Sequence, residues 1–314
     1  MVMMVAAIEE DAWALPTHLY LPRLKACLRR KSRFLKNVQE ASVVAHGIHA
    51  HISRYHLPFT GVLAHYLVVA LAKSGALHHA LHLSYYTLPC RTVFSWTAII
   101  SAYVEFGQAH EAFTVYQLML QDCVDPNNYT FVSLLKACGF MGTEELEQGR
   151  QLHEHAHTLG FVSDIFVASS LVSMYGKCGG IIEAEEVFGS LSCPDVVSWT
   201  GLLCTYVEQG YGEKAIEMYR EMKARDVADD DVAILATLQA CGATGSLEIC
   251  IHLHFQIVSA GYDSATPIVS ALLIAYRSCG TMPDALSFFN GLSHTNIVFW
   301  NACIAGHAAE GNYI

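Results

Sequence analysis

Seventeen histidines and eleven cysteines are the side chains of this sequence with the widest chemical range. Closely paired imidazoles and thiols build zinc sites, and an imidazole poised beside a hydroxyl or thiol builds a nucleophile. The spacing supports neither. No paired Cys-x-x-Cys occurs, and the sequence shows no catalytic triad pattern and no phosphate-binding glycine loop. The histidines gather instead in short words, His49 to His51, His153 to His157 and His252 to His254, each inside a helical pattern. They read as packing or helix-surface residues. Cys138, Cys178, Cys241 and Cys279 each stand beside Ala or Gly at recurring positions and read as small core-filling residues. The expectation is a chain with no catalytic residue, no metal and no cofactor.

Composition narrows the class. With 53% hydrophobic and 15% charged residues over 314 positions, the chain is no disordered tail. Eleven cysteines are too sparse for a disulfide scaffold, so a cytosolic or organellar reducing compartment fits. Eighteen Lys and Arg against 29 Asp and Glu give a net charge of -11, the wrong sign for gripping nucleic acid mainly through phosphates. Residues 1–60 carry 8 basic and 4 acidic side chains, whereas 61–314 carry 10 and 25. Any nucleic-acid role must rest on local features. Acidic residues such as Glu144, Glu145, Glu147, Glu183, Glu185 and Glu186 fall in turns and second helices, where they could face outward. No apolar run reaches the roughly 18 residues of a membrane span, so no membrane partner is expected. Met1 to Trp13 holds Glu9, Glu10 and Asp11, and no basic residue precedes Arg23. That matches neither a secretory signal nor an Arg-rich transit peptide.

The elements that would position any site are repeated. Trp96, Trp199 and Trp300 stand about a hundred residues apart. Between them the same words return in order: LKAC at Leu135 to Cys138 against LQAC at Leu238 to Cys241, QLH at Gln151 to His153 against HLH at His252 to His254, and MYGKCG at Met174 to Gly179 against AYRSCG at Ala275 to Gly280. The period divides into three unlike subunits: 93–127, 128–164 and 165–195, then 196–230, 231–265 and 266–296. In the first, Trp96, Ile99, Ile100, Tyr103 and Val104 follow a 3.6-residue period, Gly107 interrupts it, and Ala109, Ala112, Val115, Tyr116 and Met119 resume it. Each subunit therefore reads as a helical hairpin. No hairpin can bury its apolar stripes alone, so the expected fold is all-α, a right-handed superhelical solenoid of stacked hairpins. Ala112, Ala184, Ala215 and Ala285 would let paired helices approach closely.

These landmarks resemble the pentatricopeptide repeat family of the plant organellar kind, in the subclass that alternates 35-residue, long and short motifs. VVSWTGLL and YREM resemble the 35-residue motif, LLKACG and GRQLH the long one, and VSMYGKCG and AEEVF the short one. The match covers about residues 61–314: short 61–92, 35-residue 93–127, long 128–164, short 165–195, 35-residue 196–230, long 231–265, short 266–296, and a 35-residue motif begun at Ile297. A weaker long-type repeat lies in residues 1–60, from Leu24 to Cys27 through His49 to His51. The last motif stops at Ile314, inside its expected turn, so the chain reads as truncated. Members of this subclass commonly carry a C-terminal extension, some with a zinc-dependent deaminase-like domain. Its His-x-Glu and Pro-Cys-x-x-Cys are absent here.

What the resemblance implies is base reading, about one base of single-stranded RNA per repeat. Carried over residue by residue, the reading pairs are Thr97 with Asn127, Ser169 with Asp195, Thr200 with Asp230, and Ser270 with Asn296. A hydroxyl fits a purine, Asp accepts from guanine N1 and amino hydrogens, and Asn satisfies the adenine edge. The expected target, 5′ to 3′, is A-x-G-G-x-A. The base-stacking candidates are Phe94, Phe166, Val197 and Pro267, each of which could instead be hairpin core. Val132 with Asp164 and Leu235 with Ala265 look non-reading, and His65 with Thr92 falls outside the usual pairings. The same residues have a plainer reading, in which the hydroxyls cap helices and the acids and amides end turns.

The function implied is selection of a site in a mitochondrial or chloroplast transcript for C-to-U editing or related processing. The chemistry would come from a missing domain of the same protein, or from a deaminase-domain protein or other editing factors acting in trans. The alternatives are a protein-interaction scaffold close to tetratricopeptide repeats, and a truncated relic of an editing factor.

Overall fold

The hairpins begin at capped helix starts and turn on left-handed residues. In the computed structural model, which describes residues 20–27, 38–54, 61–87, 92–259 and 266–279, Thr92 and Ser95 close a reciprocal capping box at the start of the helix Val93–Glu105. That helix ends at Gly107, whose φ of 75° suits a residue without Cβ, and Gln108 N–H donates to the Tyr103 carbonyl across the turn. Gly210 (φ 80°) repeats this, with Tyr211 N–H donating to the Tyr206 carbonyl.

Every described element is helical, as the periodicity predicts. The chain divides into two compact units, residues 1–141 and 142–314. Unit one holds α1 (Tyr20–Cys27), α2 (Val38–Arg54), α3 (Gly61–Lys73), α4 (Leu77–Thr87), α5 (Val93–Glu105), α6 (Ala109–Gln121) and α7 (Asn128–Met141). Unit two holds α8 (Leu146–Thr158), α9 (Ile165–Lys177), α10 (Ile181–Ser190), α11 (Val196–Glu208), α12 (Gly212–Ala224), α13 (Asp231–Thr244), α14 (Leu247–Ser259) and α15 (Thr266–Ser278), with short 3₁₀ turns at Thr143–Glu145 and Phe161–Ser163. In unit one α3, α5 and α7 stack in succession, and in unit two α9, α11, α13 and α15 do the same. The second helix of a hairpin packs on its own first helix and on the next one: α4 on α3 and α5, α10 on α9 and α11. Each unit is thus an all-α solenoid of helix–turn–helix hairpins, the architecture by which stripes too small to form separate cores share one.

The recurring words are packing. Trp96 and Trp199 are fully buried. Trp199 meets Met222 and Ala233, with the Phe188 ring edge-on at 4.8 Å and the Arg225 guanidinium 5.2 Å above its face. Cys138, Cys178 and Cys241 are buried and Cys279 is half-buried, as small core fillers should be, and Ala112, Ala184 and Ala215 are fully buried. Ala285 lies outside the described residues. The histidine words also find a use: His153 Nδ1 lies 2.9 Å from the Tyr175 hydroxyl, and His254 Nδ1 lies 2.9 Å from that of Tyr276. Each bond fastens a second helix to the first helix of the hairpin that follows, α8 to α9 and α14 to α15.

Two measurements test this packing. A Cβ on Gly176 would collide with Thr205 Oγ1 and stand 3.0 Å from Thr205 Cβ, a buried β-branched side chain that cannot swing aside, whereas Gly189 has open space around it. Gly176→Ala is expected to lower unfolding free energy by about 1–3 kcal/mol in urea titrations, and Gly189→Ala to leave it unchanged or raise it by about 0.5–1 kcal/mol.

Burial pushes His153 and His254 below the ordinary histidine value of 6.5, so the native state takes up these protons less readily than the unfolded chain. The stability they provide is complete above the unfolded value and is lost as pH falls below it. The unfolding free energy should drop between about pH 7.5 and 5.5, and drop less steeply in the His153→Gln, His254→Gln double variant.

Candidate nucleic-acid interface

Three residues at the junctions between hairpins do two jobs with one atom. Asp195 Oδ1 accepts from the Ser198 amide (2.9 Å), capping α11, and also from the hydroxyls of Ser198 (2.7 Å) and of Ser169 in the preceding first helix (3.1 Å). Asp230 Oδ1 caps α13 through the Ala233 amide (2.7 Å) and accepts from Thr200 Oγ1 (3.2 Å). Asn127 Oδ1 accepts from the Thr130 amide and hydroxyl, both at 2.9 Å, and from Thr97 Oγ1 at 3.4 Å. Three of the four sequence pairs, Thr97 with Asn127, Ser169 with Asp195 and Thr200 with Asp230, are therefore in hydrogen-bond contact. Among the described residues, nothing bonds to Oδ2 of Asp195 or Asp230, or to Nδ2 of Asn127. Ser270 is half-buried on α15, and its partner Asn296 lies outside the described residues.

Thr97, Ser169 and Thr200 are buried, each hydroxyl within reach of the acid or amide; that of Ser169 also lies 2.6 Å from the Ile165 carbonyl and that of Thr97 2.7 Å from the Thr130 hydroxyl. The second residues of the hairpins point the other way. Phe94, Phe166 and Val197 are 65%, 64% and 58% exposed and Pro267 is exposed, so none of the four stacking candidates is hairpin core. The row continues through residues that sequence reasoning did not single out: Val62, and in the long repeats Tyr129 and Val232. Their shared register, second in every hairpin, was the available signal.

Side chains of this register line two clefts. The cleft in unit one, about 420 Å³, has Phe94 and Tyr129 as exposed walls, Thr97 and Asn127 between them, and Lys73 and Glu105 at its rim. The cleft in unit two, about 390 Å³, has Val197 and Val232, Thr200 and Asp230, and Lys177 and Glu208 in the same places. Each lysine is the last residue of the short repeat's first helix, and each glutamate the last of the next first helix. Burial pushes the Cys204 thiol in the second cleft up to about 11, leaving a protonated, unreactive group.

The fifth residues of α7 and α13 are apolar. Val132 and Leu235 are half-buried, Asp164 Oδ1 caps α9 through the Phe166 and Val167 amides, and Ala265 lies outside the described residues. Thr92 is engaged by Ser95. The acidic side chains of second helices pair with one another's neighbours: Glu183 with Arg150 and Glu185 with Lys214 (2.9 Å) and the Tyr206 hydroxyl (2.8 Å). The clefts, by contrast, are lined by first helices and the capping residues. Among the described residues, no cluster of three or more His, Cys, Asp or Glu could hold a metal ion, and no helix is long and apolar enough to cross a membrane.

Comparison with known proteins agrees with this architecture. The PPR repeat family matches residues 91–139, and the PPR repeat matches 166–192 and 197–227. A chloroplastic pentatricopeptide repeat-containing protein of Arabidopsis thaliana is 32% identical over 259 residues, 82% of this chain and 30% of its own length. A second chloroplastic member from the same plant is 34% identical over 246 residues, 78% of this chain and 39% of its own length. The chain thus spans about a third of the length of these relatives. The crystal structure of the pentatricopeptide repeat protein PPR10 from maize shares the fold, with a TM-score of 0.52 at 17% identity over 94% of this chain and 51% of that one. Matched repeats, relatives and hairpin stacking converge, and this chain belongs to the pentatricopeptide repeat family.

Proposed function

We propose that this chain is a sequence-selective single-stranded RNA-binding array of the subclass that alternates 35-residue, long and short repeats. The observation that carries the reading is the repeated cleft: two exposed side chains one hairpin apart, with a hydroxyl and an Asp or Asn between them that leaves one polar atom unbonded. A base stacked between the walls would meet that atom. In this arrangement the hydroxyl and the cap fix the side chain, so capping and reading are compatible duties of one residue. The carboxylate Oδ2 of Asp195 and Asp230 accepts from guanine N1–H and N2–H, and the amide Nδ2 of Asn127 donates to adenine N1. Ser270 with Asn296 extends the same pattern, and Phe94, Phe166, Val197 and Pro267 stack against the bases. The target is A-x-G-G-x-A.

The process served is C-to-U editing, or related processing, of an organellar transcript. The chloroplastic relatives favour the chloroplast over the mitochondrion. The chemistry belongs to a deaminase domain or other editing factor, whether joined to this array or acting in trans. A helical scaffold for proteins is the competing reading, and RNA titrations separate the two.

In salt-controlled titrations against matched, scrambled and DNA oligonucleotides, the matched RNA should bind tightest; equal binding to all three would sink the proposal. Asp230→Asn keeps the cap and should move preference at one position from G to A by about 1–3 kcal/mol, leaving other positions unchanged. Asp230→Ala should lose selectivity there and about 0.5–2 kcal/mol of stability as well.

Lys73 and Lys177 stand where a backbone entering each cleft would pass. Changing either to Gln should weaken binding to all sequences alike and reduce the slope of log affinity against log salt by about 0.7.

A further inference from the structure

Four histidines of unit one lie outside both clefts. His46 and His49 stand one turn apart on α2, and His79 and His82 one turn apart on α4, the second helices of successive hairpins. The two pairs meet. His79 Nε2 lies 3.0 Å from His49 Nδ1, and the centroid of the His79 ring is 4.8 Å from that of His49 and 4.9 Å from that of His46. The third imidazole of α2, His51, is engaged elsewhere, its Nδ1 2.7 Å from the Tyr20 hydroxyl.

Two neutral imidazoles at this distance share one hydrogen, and the same two nitrogens fit a metal ion. Neighbouring nitrogens of a right-angled coordination sphere, each about 2.1 Å from the ion, stand about 3.0 Å apart, with ring centroids about 4.6 Å apart. A straight N–H···N bond of the observed length would hold the centroids about 5.3 Å apart. The 4.8 Å between His49 and His79, with the rings inclined at 66°, lies nearer the first arrangement. Burial and the surrounding imidazoles hold both residues below the ordinary histidine value, so near pH 7 the rings are neutral, the form that ligates. Among the described residues no third side chain joins them in a ligand set, which leaves the remaining positions to water.

The geometry points to His49 Nδ1 and His79 Nε2 as a two-imidazole site for a divalent late transition metal of right-angled geometry, nickel or copper, that clamps α2 to α4. Each ring then carries its hydrogen on its other nitrogen, so the ion replaces the shared hydrogen bond without net release of a proton. Zinc fits less well, because nitrogens at tetrahedral positions stand about 3.4 Å apart. Magnesium, which takes oxygen ligands, does not fit. The clamp joins second helices and leaves the clefts, which belong to first helices, untouched, so it stands or falls independently of RNA binding.

The test is a calorimetric titration of the full, metal-stripped chain with Ni²⁺ at pH 7.5, with Mg²⁺ as the control that should not bind. The tightest ion should bind equally to the parent and to His153→Gln, and at least about tenfold more weakly to His49→Gln and to His79→Gln, each of which loses one of two linked ligands. Gln can keep a hydrogen bond to the remaining imidazole, so without metal these two variants should melt with the parent, and Ni²⁺ should raise the melting temperature of the parent more than theirs. A second measurement needs no variant: in the chain labelled with ¹⁵N-histidine, the first Ni²⁺ added should broaden the imidazole signals of His49 and His79 before those of His153 and His254. Equal affinity in the parent and both cluster variants, broadening that begins at His153 or His254, or no binding below about 1 mM Ni²⁺ overturns the site.

Discussion

At three of the described junctions one carboxylate or carboxamide oxygen ties a first helix to the one before it. Oδ1 of Asn127, Asp195 and Asp230 starts the next first helix by capping it and accepts the hydroxyl of the first helix before it. A single atom so constrained fixes both the spacing of adjacent first helices and the rotation of the helix it caps. That rotation sends the fourth residue of each capped helix, Phe131, Trp199 or Ile234, into the core and the second, Tyr129, Val197 or Val232, into solvent. It also leaves the chemically distinctive half of the side chain, O⁻ in Asp and NH₂ in Asn, unbonded among the described residues, and Asn127 and Asp230 line a cleft. Stability demands only the first oxygen, so the second atom is available to differ between repeats without cost to the stack.

The hairpin likewise separates charge. The acids of α8, α10 and α12 are arranged with Arg150 and Lys214 on second helices, where Arg150 holds the Glu183 carboxyl and Lys214 the Glu185 carboxyl below the usual range. The clefts belong to first helices and see Lys73 with Glu105, or Lys177 with Glu208 and Asp230. A net charge of -11 therefore describes the molecule and not the surface on which a strand would lie. Contacts to base faces and edges, rather than a general basic field, are what such clefts can offer, which makes discrimination a larger share of any binding than in a basic groove.

The two clefts are equivalent in register and unequal in chemistry. Aromatic walls at Phe94 and Tyr129 present broad faces to a stacked base, and Val197 and Val232 present narrow aliphatic ones. Tyr129 and Val232 come from α7 and α13, whose own fifth residues, Val132 and Leu235, are apolar. A first helix can thus contribute a wall to its neighbour's cleft while having no polar residue at its own fifth position.

The sequence by itself determined the hairpins, their order and their core. Apolar periodicity of 3.6 residues, interrupted at Gly107 and Gly210, leaves a chain little choice of local structure, and the recurrence of LKAC, QLH and MYGKCG follows from repeated packing of the same shapes. Through the family resemblance it also named the residues that meet at three junctions, Thr97, Ser169 and Thr200 with Asn127, Asp195 and Asp230, which stand 30, 26 and 30 residues apart. What it left open was the division of labour inside each pair, because capping and base reading ask for the same residue types. The tertiary structure shows the capping half of that division, by bringing a hydroxyl some thirty residues distant onto the same oxygen that caps the helix. The exposure of Tyr129 and the bonds from His153 to Tyr175 and from His254 to Tyr276 were equally tertiary. Each depends on the rotation of one helix against its neighbour, which linear spacing does not contain.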